Sequence, residues 1–109
     1  MVSVLKRKAY SIPLSPADVL DVKFAIRSNA IESFSLNYRT KISGNFFEVY
    51  RVDTAHGFLH AQRYWITPEP IPIPSLGKDL NELFNFYLDL VRKDFLRFKK
   101  HYLTRMRLR

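Results

Sequence analysis

The segment that determines the fold reads Ser33-Phe34-Ser35-Leu36-Asn37-Tyr38-Arg39-Thr40-Lys41-Ile42. Apolar side chains and one threonine occupy the even positions, while small polar or charged side chains occupy the odd positions. A repeat of two residues is typical of a β-strand that has one face against a core and the other in solvent. The segment therefore predicts a strand in a sheet that buries one of its two faces.

Other segments with strand-like patterns lie on both sides of this one, separated by short turn sequences. Polar residues at 43–45 and at 53–57 are typical of the turns that join two antiparallel strands. No helical crossover separates the strands, so we expect an antiparallel meander. A capping serine followed by a proline predicts one short helical turn at 15–18. The predicted strands cover 3–12, 22–27, 34–42, 46–52 and 58–66.

The remaining third of the chain predicts one long helix. Prolines at every second position in 67–77 favour a stiff, extended strap between the sheet and this helix. From residue 78 to residue 109, apolar residues recur at the spacing of one helical stripe. We therefore predict a single α+β domain over 1–109: a sheet of four or five antiparallel strands within 1–66, covered on one face by the C-terminal helix. The stripe consists of Leu80, Phe84, Tyr87, Val91, Phe95, Phe98 and Tyr102.

Further apolar residues of the helix, such as Phe86 and Leu96, lie outside this stripe. They suggest a second packing partner, which would most simply be another copy of the chain. The absence of cysteine and of an apolar run of about 20 residues indicates a cytoplasmic protein that has no disulfide and no membrane span.

Positive charge is concentrated at the C-terminal end. Residues 92–109 hold eight basic residues and one acid, in a chain whose net charge is +8. Such a cluster attracts polyanions, of which nucleic acid is the commonest. A solvated helix end that only confers solubility is the alternative. The candidate nucleic-acid-binding residues are Arg97, Lys100, Arg105 and Arg107.

A second polar concentration lies at 51–60, which holds two of the three histidines. If Gly44 and Asn45 centre one hairpin turn and Ala55 and His56 the next, strand pairing forms two cross-strand rows. One row contains Lys41, Glu48 and Arg63. The other, on the opposite face, contains Tyr38, Arg51 and His60, beside Asp53.

The second row suggests chemistry on a phosphodiester. His60 could act as a general acid or base near neutral pH, and Arg51 could hold a phosphate. Tyr38 and His56 would assist, and Asp53 would orient a histidine. Together they suit RNA cleavage that needs no metal and no cofactor. Two alternatives remain open: a turn with structural histidines, and a metal site formed by Asp53, His56 and His60.

The block Arg51-Val52-Asp53-Thr54-Ala55-His56-Gly57-Phe58-Leu59-His60 resembles that of a small, mostly archaeal family of unknown function, marked by Arg-x-Asp-Thr-Ala-His-Gly-x-x-His. It is more distantly similar to the block of TumE-like toxins of toxin–antitoxin pairs. That similarity implies an RNA-directed protein with an antitoxin partner, although Ala61 and Gln62 replace the further histidines of those toxins.

Three hypotheses follow. The first is a toxin-like, RNA-directed protein, with ribonuclease activity as its chemistry. The second is a non-catalytic nucleic-acid-binding module. The third is a structural or partner-binding protein that forms a homodimer or binds an antitoxin through its C-terminal helix.

Overall fold

A computed structural model describes residues 4–54 and 58–107. In these residues the chain forms six β-strands followed by one α-helix. The elements are β1 (Lys6–Ser15), β2 (Asp18–Arg27), β3 (Ala30–Ile42), β4 (Asn45–Asp53), β5 (His60–Arg63), β6 (Ile71–Pro72) and α1 (Leu80–Arg107).

The strands form one sheet in chain order, and every neighbouring pair is antiparallel. The predicted α+β class is confirmed: an antiparallel meander packs against a long C-terminal helix. The sheet has six strands instead of four or five because the proline-rich strap adds β6, which pairs with β5. Ile73 of the strap packs against the core, and its amide donates to the carbonyl of Leu59 at 3.1 Å.

The predictions for residues 15–18 and 58–66 are wrong. Residues 15–18 form no helical turn; Pro16 and Ala17 form a tight turn that joins β1 to β2. Ser15 stabilises this turn, since its hydroxyl accepts from the amide of Ala17 and donates to the carboxylate of Asp18. The strand predicted at 58–66 covers only His60–Arg63, because Tyr64 begins a further turn.

The hairpin between β3 and β4 turns one residue earlier than predicted. Ser43 and Gly44 have φ values of 51° and 85°, and Ile42 pairs with Asn45. Two consecutive residues of positive φ are characteristic of the type I′ turn, whose twist matches that of the strands. The hairpin is therefore centred on Ser43 and Gly44.

The core lies between the sheet and α1. The buried face of the sheet carries Leu20, Val22, Leu36 and Tyr38, all of which are at most 1% exposed. Helix α1 covers this face with Leu83, Phe84, Val91 and Phe98. Burial at intervals of one and two helical turns confirms the predicted apolar stripe.

Reciprocal hydrogen bonds fix the start of α1. The carboxylate of Asp79 accepts from the amide of Glu82 at 2.9 Å, and the carboxylate of Glu82 accepts from the amide of Asp79 at 3.4 Å. This capping box satisfies two backbone amides at the helix end. Among residues 4–54 and 58–107, no helix combines the length and the apolar character that crossing a membrane requires.

Candidate functional site

The sheet face turned away from α1, here called the open face, carries polar side chains in two cross-strand rows. The strand pairing places Ala9, Lys23, Ser35, Asp53 and His60 in one row, each residue directly opposite the next. The neighbouring row consists of Ser11, Asp21, Asn37, Arg51 and Gln62. Paired residues of antiparallel strands point to the same face of a sheet. The open face therefore brings together cations, carboxylates and hydroxyl groups from five strands.

Tyr38 does not belong to this face, and the predicted register is wrong. Tyr38 pairs with Tyr50 on the buried face and is completely shielded from solvent, whereas Arg51 pairs with Asn37. Two features cause the shift: the hairpin turns one residue early, and a bulge interrupts the pairing between Tyr38 and Arg39. Burial and the hydrogen bond to Asp18 raise the pKa of Tyr38 far above its usual value.

The predicted row of Lys41, Glu48 and Arg63 is also wrong, since the β4–β5 pairing differs from the prediction as well: Arg51 pairs with Gln62 instead of His60. Lys41 pairs with Phe46, Glu48 with Arg39, and Arg63 with Tyr50. Arg63 consequently pairs on the opposite side of the sheet from Lys41 and Glu48.

Arg51 and Asp53 form an ion pair within β4. Both Nε and Nη2 of Arg51 donate to the same carboxylate oxygen of Asp53, at 3.0 and 2.6 Å. The Asp53 side chain is 9% exposed and that of Arg51 is 33% exposed. A charge-assisted contact of two donors to one oxygen holds the guanidinium in place.

His60 lies on the open face directly opposite Asp53 but is nearly closed to solvent, with 4% of its surface exposed. Its Nδ1 is 3.3 Å from the carbonyl oxygen of Phe58, and the Phe58 ring lies 5.3 Å from the imidazole. His60 also pairs with Pro72 of β6 on its other side. His60 thus lies between β4 and β6 and not at the edge of the sheet. His56, the second predicted histidine, lies outside the described residues.

The four predicted nucleic-acid-binding residues do not share one surface. Successive helical residues are rotated by about 100°, so Lys100 and Arg107 lie on the outer side of α1, opposite the buried Phe98. Arg97 lies beside them, pairs with Asp94 at 2.9 Å, and places its guanidinium 5.2 Å from the Phe98 ring. Arg105 lines a cavity.

That cavity, here called the helix-end cleft, has a volume of about 490 Å³ and lies between the end of α1 and the β3–β4 hairpin. Its polar and charged side chains are few, and its aromatic side chains are many. The cleft is lined by Phe46, Phe47, Glu48, Tyr64, Trp65, Pro68, Tyr102, Arg105 and Met106.

Aromatic rings make up most of this cleft, and cations lie beside some of them. Trp65 stacks on Phe98 and on His101 with interplanar angles of 18° and 20°. Phe46 is 46% exposed, and the guanidinium of Arg39 lies 4.3 Å from its ring centroid. Burial and the interaction with Glu48 raise the pKa of Tyr64 to about 12. The cleft thus offers aromatic surface with positive charge on two sides.

Several residues of these surfaces are missing from the sequence-based site. The strict alternation of β3 indicates that Ser35 and Asn37 are solvent-facing, but it assigns them no partner. The helix-end cleft unites Phe46 with Tyr102 and Arg105, which are far apart in the chain, and no local pattern reveals such a contact. Among residues 4–54 and 58–107, no three histidine, cysteine, aspartate or glutamate side chains lie close enough to hold a metal ion.

The geometry defines a small, basic α+β protein with a polar open face and an aromatic cleft at the end of its helix. The family model described as a domain of unknown function (DUF7718) matches residues 5–107. The chain belongs to this family. No curated protein and no solved structure matches it.

Proposed function

We propose that the protein binds single-stranded RNA, with the helix-end cleft as the site for unstacked bases. The observation that carries this proposal is that Arg105, from the basic end of α1, lines the same cleft as Phe46, Trp65 and Tyr102. Proteins that bind single strands combine stacking rings with a basic path for the phosphates.

Cations lie on two sides of the cleft, and Glu48 is the anionic residue of its lining. Arg105 lies on the helix side, while Arg39 and Lys41 flank the ring of Phe46 on the hairpin side. Base-on-ring stacking contributes about 1–3 kcal/mol per base. The net charge of +8 adds long-range attraction to a polyanion. A duplex hides the faces of its bases, so the proposal is specific to single strands.

The chain carries its own probe of this site, because Trp65 is the only tryptophan. Titration with a short unstructured RNA is expected to change Trp65 fluorescence in a saturable manner, whereas a perfect duplex of equal length changes it far less. Fluorescence anisotropy of a labelled RNA gives the affinity independently.

Two matched arginine variants locate the site. Arg105→Ala is expected to weaken binding about tenfold, since it loses a contact within the cleft. Arg107→Ala, on the outer side of the same helix, is expected to weaken it about threefold or less through charge alone. Equal losses for both variants would leave only nonspecific attraction and reject the cleft as the binding site.

A second candidate function, metal-independent RNA cleavage, is supported by one observation. Asp53 faces His60 across two strands and holds Arg51 in an ion pair on the same face. Arg51 would then hold the phosphate and His60 would transfer the proton. The 4% exposure of His60 counts against this role, because a general acid or base must reach its substrate.

Cleavage is tested by incubating wild type and His60→Ala with structured and unstructured RNA in the presence of a chelator. Products that depend on His60 support the second candidate. Identical products from both proteins, or none from either, reject it and leave RNA binding as the function. The antitoxin partner and a homodimer formed through α1 stay predictions; Phe86 and Leu96 are 51% and 64% exposed on that helix.

A further inference from the structure

The open face contains a groove that neither RNA binding at the helix-end cleft nor the predicted histidine chemistry explains. It consists of two adjoining hollows, of about 370 and 500 Å³, which share Ala9, Lys23 and Ser35. Volumes of this size are typical of sites for small molecules. The groove exists because small side chains surround Lys23 on the face where longer ones would fill the space.

Lys23 lies at the junction of the two hollows, where no acidic residue pairs directly opposite it. Its cross-strand neighbours are Ala9 and Ser35, which carry no charge. The nearest carboxylate along the strand, that of Asp21, is already bound by Arg39 at 2.7 and 3.2 Å and by Ser11 at 2.6 Å. Within the part of the chain that the structure describes, Lys23 forms no ion pair.

The pairing of Asp21 is strong enough to keep it ionised. Burial alone would raise the pKa of Asp21, but hydrogen bonds from Arg39 and Ser11 outweigh it and lower that pKa below its usual value. Its charge is therefore neutralised by Arg39, and the ammonium group of Lys23 remains available for an anion.

The larger hollow offers several hydrogen-bond acceptors beside the cations Lys23 and Arg51. Oδ1 of Asn37 is buried and has no hydrogen-bond partner within the described residues. The carboxylates of Asp21 and Glu48 line the same hollow, as does the hydroxyl-bearing Ser11. A buried acceptor without a donor is costly, and a ligand that supplies a hydroxyl group removes that cost.

We propose that this groove binds a phosphorylated sugar. Lys23 and the hydroxyl of Ser35 hold the phosphate at the junction of the hollows, with Arg7 at the rim of the smaller one. The sugar lies in the larger hollow, where a hydroxyl group donates to Oδ1 of Asn37. The shared chemistry is a phosphate ester next to several hydroxyl groups, free or as part of a nucleotide.

Isothermal titration calorimetry on the full chain tests this with ribose 5-phosphate, ribose and inorganic phosphate as probes. Ribose 5-phosphate is expected to bind at least tenfold more tightly than either of the others, because only it satisfies both halves of the groove. A fourth probe, adenosine monophosphate, identifies the source. Tighter binding than ribose 5-phosphate assigns the groove to nucleotides, and equal or weaker binding assigns it to sugar phosphates.

Two variants separate the two halves of the site. Lys23→Met is expected to reduce ribose 5-phosphate affinity to the level of ribose. Asn37→Ala is expected to weaken ribose 5-phosphate and ribose while leaving inorganic phosphate unchanged. Lys78→Met is the matched control, since Lys78 is exposed, lies outside the groove and is expected to leave all affinities unchanged.

Lys23 is on the surface, so Lys23→Met tests the proposal even if Asn37→Ala fails to fold. The proposal is overturned if wild type shows no saturable binding of ribose 5-phosphate or adenosine monophosphate. It is equally overturned if Lys23→Met binds them as wild type does. Neither Lys23 nor Asn37 lines the helix-end cleft, so this result is independent of RNA binding there.

Discussion

The hydroxyl of Tyr38 donates a hydrogen bond to Oδ1 of Asp18, with 2.6 Å between the two oxygens. Both residues lie on the buried face of the sheet, and both are at most 1% exposed. The other carboxylate oxygen accepts from the hydroxyl of Ser15 at 2.5 Å and from Nζ of Lys99 at 3.3 Å. Asp18 thus joins a turn, a central strand and the helix through one buried charge.

Tyr38→Phe is expected to destabilise the protein, since it removes a donor from a buried carboxylate and leaves the ring in place. Hydrogen bonds to charged groups contribute about 1.5–3 kcal/mol, and we expect a loss of that size in the free energy of unfolding. Urea denaturation measures it. Tyr10→Phe is the control, because Tyr10 is 46% exposed. Equal small effects from both substitutions would contradict the structural role of Tyr38.

The same carboxylate predicts how stability depends on pH. Burial alone would raise the pKa of Asp18, but hydrogen bonds from Ser15, Tyr38 and Lys99 lower it below its usual value. The unfolded carboxyl titrates near pH 4. The stabilisation is therefore fully present above about pH 4, and it is lost as the pH falls through the lower folded pKa.

Asp18→Asn tests this by removing the titrating group. Urea denaturation curves at neutral pH and at steps below about pH 4 give the free energy of unfolding of both proteins. The variant is expected to be less stable at neutral pH and to lose less stability on acidification. Parallel pH profiles for variant and wild type would assign the acid sensitivity to other carboxylates, such as that of Asp21.

The local sequence of a strand establishes which face each residue occupies, but not which residue of the next strand it pairs with. The alternation in β3 correctly assigns Tyr38 and Asn37 to opposite faces of the sheet, because the two-residue repeat is a property of one strand. It leaves the pairing open, since Ser43–Gly44 and Gly44–Asn45 are both plausible hairpin turns. An error of one residue in the turn, together with the bulge beside Arg39, changes the residue opposite Arg51 from Tyr38 to Asn37.

The candidate sites likewise have some features that the local sequence predicts and others that depend on tertiary packing. Asp53 and Arg51 are two residues apart on one strand, so their presence on one face follows from the sequence. The helix-end cleft depends on how the end of α1 meets the β3–β4 hairpin, which is a matter of tertiary packing. Whether His60 is accessible depends equally on distant residues, because Pro72 of the strap pairs beside it.

The burial of His60 predicts a difference in chemical reactivity between two histidines. Diethyl pyrocarbonate modifies accessible imidazoles, and His101 is exposed on α1 whereas His60 is 4% exposed. We expect His101 to react at least tenfold faster, as measured by peptide mass spectrometry over time. A urea-unfolded sample, in which both react alike, is the control. Comparable rates in the native protein would contradict the burial of His60 and favour the ribonuclease hypothesis.

Salt dependence predicts how many phosphates the RNA-binding surface neutralises. For single strands, the logarithm of the binding constant falls with the logarithm of salt concentration by about 0.7 per phosphate contact. If Arg105 contacts one phosphate beside the cleft, Arg105→Ala is expected to reduce the slope by about that amount. Phe46→Ala removes a stacking ring without a charge, so it is expected to lower affinity at every salt concentration and leave the slope unchanged. Anisotropy titrations at four or more salt concentrations measure both the affinity and the slope. A changed slope for Phe46→Ala, with an unchanged slope for Arg105→Ala, would contradict the roles assigned to the ring and the cation.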